Sequence, residues 1–322
     1  MDQTTTTFPT THHVGSLAVS AVALGTMHFG TRVDAQAAMA CLDVAAEVGA
    51  TFWDTANNYA FWAGSGDESE TVIGDWFSSR GPAARERITL ASKVGARPRP
   101  GHADLDHVQG LSARAVRDQV TGSLQRLRTD HLDVLYAHID DPTVALAETL
   151  GVFGELVEEG LVREIGASNL PAERLQESLC VPANHRYRVL QQRFTYLPIK
   201  PGVATAPQVV LDPATESIAS AAEVTLVGYS PLLSGAYTRT DRPLPADYST
   251  QESRHRLDAL RSVADEVGLD PGQVVLAWMN QRPTPVLPIV GVSRPEQVRS
   301  AWHAVTQVLP DHLIARLDAA RA

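Results

Sequence analysis

Short runs of apolar, β-branched and aromatic residues alternate with longer stretches of helical periodicity along nearly the whole chain. The runs Val22–Leu24, Thr51–Asp54, Ile88–Lys93, Leu132–His138, Val162–Ser168, Val189–Gln191, Thr225–Tyr229 and Val286–Val290 predict eight strands. Helices are predicted after them, over Asp34–Val48, Asp67–Ser79, Ala113–Leu127, Val144–Glu159, Pro171–Ser178, Ala214–Ala221, Ser253–Val267 and Pro295–Val305. Asp34 suits an N-cap, Pro171 a first helical turn and Gly160 a C-terminal stop. Further helical pieces fall at Pro271–Asn280 and Asp311–Ala319.

Eight β-then-α units imply an all-parallel sheet, because each crossover helix returns the chain to the same end. Eight such units close into a barrel, so the expected fold is α/β, a (β/α)8 TIM barrel, with residues 1–322 as a single domain. A doubly wound open sheet that bound a dinucleotide would carry GxGxxG after its first strand, and LGTMHFGT does not match. Ahead of the barrel, HHVGSLAVS reads as a β-hairpin around Gly15–Ser16 that could plug its N-terminal mouth, and residues 1–10 read as a flexible tail. Three long connections, Ala96–Leu111, Arg193–Leu211 and Pro231–Gln251, all follow a strand, which puts them on the C-terminal face.

That face is where such barrels keep their chemistry, and polar groups end three successive strands there: Asp54, Lys93 and His138. Tyr59 stands five positions past Asp54. An ammonium beside Tyr59 favours the phenolate and is expected to lower its pKa toward working pH. Asp54 can hold Lys93 protonated, and His138 can bond a substrate oxygen or relay a proton. Taken singly, a buried Asp–Lys pair is more often structural, and a lone Tyr or His is more often packing. The conjunction at three strand ends is what points to proton transfer.

Composition narrows the classes. Hydrophobic residues make up 44% and charged ones 20%, enough apolar material for a sizeable core. The formal charge of −10 disfavours nucleic acid and anionic membrane surfaces as partners. The two cysteines, Cys41 and Cys180, show no metal-type spacing, so no metal is expected and a reducing cytoplasm fits best. No apolar run approaches the ~20 residues of a membrane span.

The strings GTMHFG, FWDTANNY, ASKVG, LDVLYAHIDDP, ETLGVFGELVEEGLVREIGASN, GYSPL and PIVGVSRPEQV, in this order, resemble the aldo-keto reductase family. The resemblance implies that Asp54, Tyr59, Lys93 and His138 form that family's catalytic tetrad, with Tyr59 as general acid. It implies a hydride transferred from a reduced nicotinamide dinucleotide to a small-molecule aldehyde or ketone, NADP(H) being preferred and NAD(H) possible. Ser168, Asn169 and Gln191 match the groups that bond the nicotinamide carboxamide, and Tyr229 the aromatic that stacks on the ring. Ser230 and Leu232 fall where the pyrophosphate passes, and Pro231–Gln251 where a lid would fold over the dinucleotide.

The chain departs from the pattern in its last motif. Gly291 and Gln297 stand where other branches carry Lys or Arg, and Ser300 and Ala301 replace a Glu-Asn pair facing the adenine. Ser293 and Arg294, with Gln297 beside them, remain as candidate contacts to the ribose 2′-phosphate at the start of the last predicted barrel helix. Met27, Phe29 and Trp62, with His28 and Phe61, are expected to wall the substrate pocket, whereas alternation turns Trp53 outward under the helices. Arg97, Arg99, His102 and His107, in the connection after the third barrel strand, could meet an anionic substrate group. Two other readings stay open: a nicotinamide-binding regulatory or scaffold subunit, and a barrel glycosidase pairing Asp54 with Asp140 or Asp141. Oligomeric state is open, a monomer being compatible.

Overall fold

The structure, a computed structural model, describes residues 8–320. Phe8 N donates to Thr306 O and Ala21 N to Thr10 O, so the expected loose tail does not extend over residues 8–10, and residues 1–7 lie outside the described residues. Strands β1 (Thr11–Val14) and β2 (Leu17–Ser20) form an antiparallel hairpin. Its tip is held from below the barrel: Ser16 donates through its amide and its hydroxyl to Glu164 Oε1, at 2.8 and 2.7 Å.

The chain then runs through β3 (Ala23–Gly25), α1 (Ala35–Val48), β4 (Phe52–Asp54), α2 (Glu68–Arg80), α3 (Pro82–Glu86) and β5 (Thr89–Val94). It continues through α4 (Ala113–Leu127), β6 (Leu132–Ala137), α5 (Leu146–Glu158), β7 (Val162–Ser168), α6 (Ala172–Cys180), β8 (Val189–Arg193), α7 (Pro213–Ala221) and β9 (Thr225–Tyr229). Last come α8 (Gln251–Val267), α9 (Pro271–Gln281), β10 (Val286–Gly291), α10 (Pro295–Thr306) and α11 (Asp311–Ala319). The eight strands β3 to β10 pair in parallel, and β10 returns to β3 to close the barrel. The (β/α)8 architecture with its N-terminal hairpin is therefore as the periodicity predicts. Among the described residues, α3 and two short 3-10 turns, Leu233–Gly235 and Ala246–Tyr248, were not anticipated.

Strand alternation divides the core in two. Inward residues Ala23, Phe52, Ala91, Val134, Tyr136, Val189, Val227 and Leu287 fill the barrel, and Val14 and Val19 of the hairpin join them at the bottom. Outward neighbours Leu24, Trp53, Leu90, Leu135 and Leu190 pack under the helices. Trp53 is fully buried there against Trp76 and Phe77 of α2, with ring centroids at 4.8 and 6.0 Å. The hairpin thus seals one end of the barrel. The same parity that points Phe52 inward points Asp54 inward too, two residues nearer the open end.

Of the long connections, 96–111 forms its own bridge between Pro98 and Val108. Segment 231–251 is tied to 194–211: Thr195 Oγ1 donates to Pro231 O at 2.6 Å, and Leu197 N to the Tyr237 hydroxyl at 3.2 Å. Among the described residues no helix is long and apolar enough to cross a membrane.

Candidate active site

The inward face at the strand ends turns polar all at once. Lys93 Nζ has no exposed surface and gives three hydrogen bonds, to Asp54 Oδ1 at 2.5 Å, Tyr59 Oη at 2.5 Å and Thr55 O at 2.9 Å. Tyr59 Oη in turn donates to Asp54 Oδ1 at 2.8 Å. The second carboxylate oxygen accepts from Gln191 Nε2 at 2.8 Å, across 137 positions of sequence. His138 stands edge-on to the Tyr59 ring at 5.7 Å between centroids, and its Nδ1 is buried with no partner. The four residues expected as a tetrad are therefore brought together, three in direct hydrogen bonds and His138 against the tyrosine ring.

The electrostatics differ from the sequence expectation at Tyr59. Burial pushes its phenol well above the ordinary tyrosine range, and the Asp54 carboxylate adds to this by charge and by accepting its hydrogen bond. The expected net lowering is overturned: burial and donation to a carboxylate, which both favour the neutral phenol, outweigh the neighbouring ammonium. Burial pulls the Lys93 ammonium down, opposed by Asp54. His138 is driven well below its ordinary value, first by burial and then by the positive charge of Lys93, which keeps it a neutral imidazole.

A second group adjoins the first. Asn169 Nδ2 donates to His138 O and to Ser168 Oγ, both at 3.0 Å, while Asn169 Oδ1 accepts from the Tyr229 hydroxyl at 2.7 Å and Val209 N at 3.1 Å. Ser168, Asn169, Gln191 and Tyr229 thus form one polar rim continuous with the Asp54–Lys93 pair. Left-handed backbone occurs at Asn169 (φ 52) of this rim and at the chain neighbours of Tyr229 and Tyr59, Ser230 (φ 58) and Ala60 (φ 55). Each such residue costs roughly 1–2 kcal/mol, and strain of this kind gathers at ligand sites. Ser230 is exposed, and Leu232 is half-buried.

The Ser168 hydroxyl accepts from Asn169 and keeps its own proton to donate, and Gln191 keeps its carbonyl to accept. With the half-buried Tyr229 ring, these groups have the donors, acceptors and flat face that a nicotinamide carboxamide and ring require. Ser293, Arg294 and Gln297 form a separate cluster. Gln297 Oε1 accepts from Ser293 N at 2.7 Å, Ser293 Oγ at 3.1 Å and Arg294 N at 3.2 Å, so it caps the turn into α10. Ser300 is bonded by Gln273 Nε2 at 3.1 Å.

Met27 and Trp62 are 38% and 54% exposed, open enough to meet a ligand, and Phe61 packs edge-on against Trp62 at 5.2 Å. Phe29 is buried in the shell beneath the helices, where it makes no open wall. Arg97 is held by Asn57 O and Asp67, and Arg99 Nε by Val108 O. His102 and His107 stack on one another at 4.1 Å beside Asp104. The glycosidase reading lacks its carboxylate pair: Asp140 is engaged by Arg174, and Asp141 caps Leu111 N and Thr143. Sequence reasoning missed Tyr136, a fully buried phenol on the barrel floor with Lys93 Nζ 5.7 Å from its ring. The signal was available, since Tyr136 lies two positions before His138 and shares its parity.

Comparison with known proteins agrees with this fold. The model of the "Aldo/keto reductase family" matches residues 21–322. The chain is 32% identical to an uncharacterized oxidoreductase, YrpG, of Bacillus subtilis (strain 168), over 94% of this chain and 92% of that protein. It is 27% identical to the aldo-keto reductase yakc [NADP(+)] of Schizosaccharomyces pombe, over 95% of this chain and 90% of that one. A crystal structure of a thermostable aldo-keto reductase with the inhibitor epalrestat superposes with a TM-score of 0.74 at 23% identity, covering 96% of this chain and 99% of that one, a likeness of fold.

Proposed function

Because the chain belongs to the aldo/keto reductase family, we propose that it is a carbonyl reductase in which Asp54, Tyr59, Lys93 and His138 carry out the proton transfer. The observation that carries this reading is the single hydrogen-bonded unit of Tyr59, Lys93, Asp54 and Gln191 at the mouth of the barrel. Tyr59 is neutral at working pH and so holds the proton that a developing alkoxide needs. The Lys93 ammonium, donating to Tyr59 Oη, stabilises the phenolate left behind, and Asp54 keeps that ammonium in place. The neutral His138 imidazole orients the carbonyl oxygen by a hydrogen bond from its open-side nitrogen.

A reduced nicotinamide supplies the hydride when bound. Ser168 and Gln191 would hold its carboxamide, with Asn169, its own amide fully engaged, setting the Ser168 hydroxyl and the Tyr229 phenol; the Tyr229 face would hold its ring, and Ser230 and Leu232 its pyrophosphate. Ser293 and Arg294 would take a 2′-phosphate, with Gln297 shaping their turn. NADP(H) is the preferred cofactor on this reading, supported by the guanidinium of Arg294 and by the similarity to the NADP(+) aldo-keto reductase yakc. The substrate is a small carbonyl compound received between Met27 and Trp62.

The reading is tested by titrating the purified protein with both reduced cofactors and then following absorbance over a panel of aldehydes and ketones. Tyr59→Phe is expected to lower kcat by at least about a hundredfold while cofactor binding survives. Full activity in that variant would sink the assignment.

A further inference from the structure

Asp54 and Lys93 point into the barrel, so their chain neighbours Thr55 and Ser92 point out of it, toward α2. Both neighbours are polar, and both are fully buried. Thr55 Oγ1 lies 2.7 Å from Ser69 Oγ, which lies 2.8 Å from Thr26 Oγ1, which donates to Asp54 O at 2.9 Å. Thr55 donates to Ser69 and Thr26 to the carbonyl of Asp54, while the Ser69 proton has two acceptors on the same residue, Thr26 Oγ1 and Thr26 O, the latter at 3.0 Å. The Thr26 amide gives that carbonyl a second bond at 3.1 Å. Thr55's own carbonyl is the backbone acceptor of the Lys93 ammonium.

The next residue of α2 does the same for the other strand. Ser92 Oγ donates to Glu70 Oε1 at 2.6 Å, and Glu70 Oε2 accepts from Arg126 Nε at 2.7 Å. Glu70 has no exposed surface. A buried carboxylate is tolerable only when paired, and apolar residues of similar volume would pack a strand–helix contact as stably. Packing alone therefore does not call for five polar side chains here. Their common effect is to grip the residues adjacent to both members of the Asp54–Lys93 pair from one helical turn.

We infer that Ser69 and Glu70 are positioning residues that fix the separation of Asp54 and Lys93, and with it the place of the Tyr59 hydroxyl between them. The inference rests on the proposed role of those three groups. Displacement of a reacting group by an ångström costs about a hundredfold in rate, so a brace of this kind should show in kcat.

The test uses the full chain, reduced NADP and para-nitrobenzaldehyde. Thr55→Val removes the hydroxyl at nearly constant volume, Ser69→Ala removes the hub, and Thr55→Ser keeps the hydroxyl while losing a methyl. The expected result is a fall in kcat of about ten- to a hundredfold for Thr55→Val and Ser69→Ala, with KM for the aldehyde and cofactor affinity within about twofold of wild type. Thr55→Ser is expected to retain kcat. Wild-type kcat in Thr55→Val or Ser69→Ala, or an equal fall in Thr55→Val and Thr55→Ser, overturns the inference, the latter because it makes packing the cause. If the wild type reduces no carbonyl, the functional reading fails instead, and the brace is judged by a crystal structure of Thr55→Val. An unmoved Asp54–Lys93–Tyr59 geometry there overturns it, and a displaced pair upholds it.

Discussion

His138 is flanked by a buried phenol ring at 5.7 Å and by the cation of Lys93, and both its burial and that charge hold its pKa well below the ordinary 6.5. A folded-state pKa lowered in this way means that the unfolded chain binds more protons between the two values. Stability then rises with pH through that window and is lost as pH falls below 6.5. His12 and His28 are shifted in the same direction by burial, so they contribute to the same acid loss. The prediction is that His138→Gln loses less thermal stability than wild type between about pH 7 and pH 5, read by circular dichroism. An identical loss in both proteins counts against a buried neutral imidazole. The identity of this residue was legible, as were those of Asp54, Tyr59 and Lys93, because polar groups at the ends of apolar runs stand out. Their protonation states were not. The sequence places an ammonium near a phenol but does not show which of the two the carboxylate accepts from, and Tyr59 donates to it along with Lys93.

At the scale of elements, α2 sits at the centre of the arrangement. It covers Trp53, presents Ser69 and Glu70 to the strand ends, and approaches α4 so closely that a Cβ on Gly74 would overlap Arg126 O. Gly74→Ala is therefore expected to destabilise the fold by about 1–3 kcal/mol through overpacking, seen as an earlier denaturant midpoint. An unchanged midpoint would show that the helix pair can separate freely. Boundaries such as Ala113–Leu127 and Thr225–Tyr229 were readable to the residue, since apolar period and turn residues agree there. The five-residue α3 and the 3-10 turns were not, because segments that short carry no periodicity. Phe29 illustrates a different limit. Its loop lies on the catalytic face, yet its side chain turns down into the shell under the helices.

For the molecule as a whole, the closed barrel was the most legible level, since eight repeats of one unit constrain the topology even when a strand such as β4 has only three residues. What the chain could not announce is which strand ends meet across the mouth: Gln191 reaches Asp54 from β8 to β4, two strands that share no ladder. Overall charge matters here as well. A net −10 repels a polyanionic cofactor at long range, so capture depends on local positive groups. Arg294→Ala is expected to reduce the preference for NADPH over NADH, as a ratio of kcat/KM values, by about tenfold or more. A constant ratio would place 2′-phosphate recognition elsewhere.

The hairpin gives this barrel a single doorway. Val14 and Val19 stop the lower end, and Phe52, Val134, Tyr136 and Leu287 fill the lumen above them. Apart from the Tyr136 hydroxyl, the side chains of that column are hydrocarbon, which disfavours water on the way up to Tyr59. On the proposed reading, the phenolate must regain its proton through the same opening by which the alcohol departs. Exit and recharging then share one corridor, and a product slow to leave also delays the next proton.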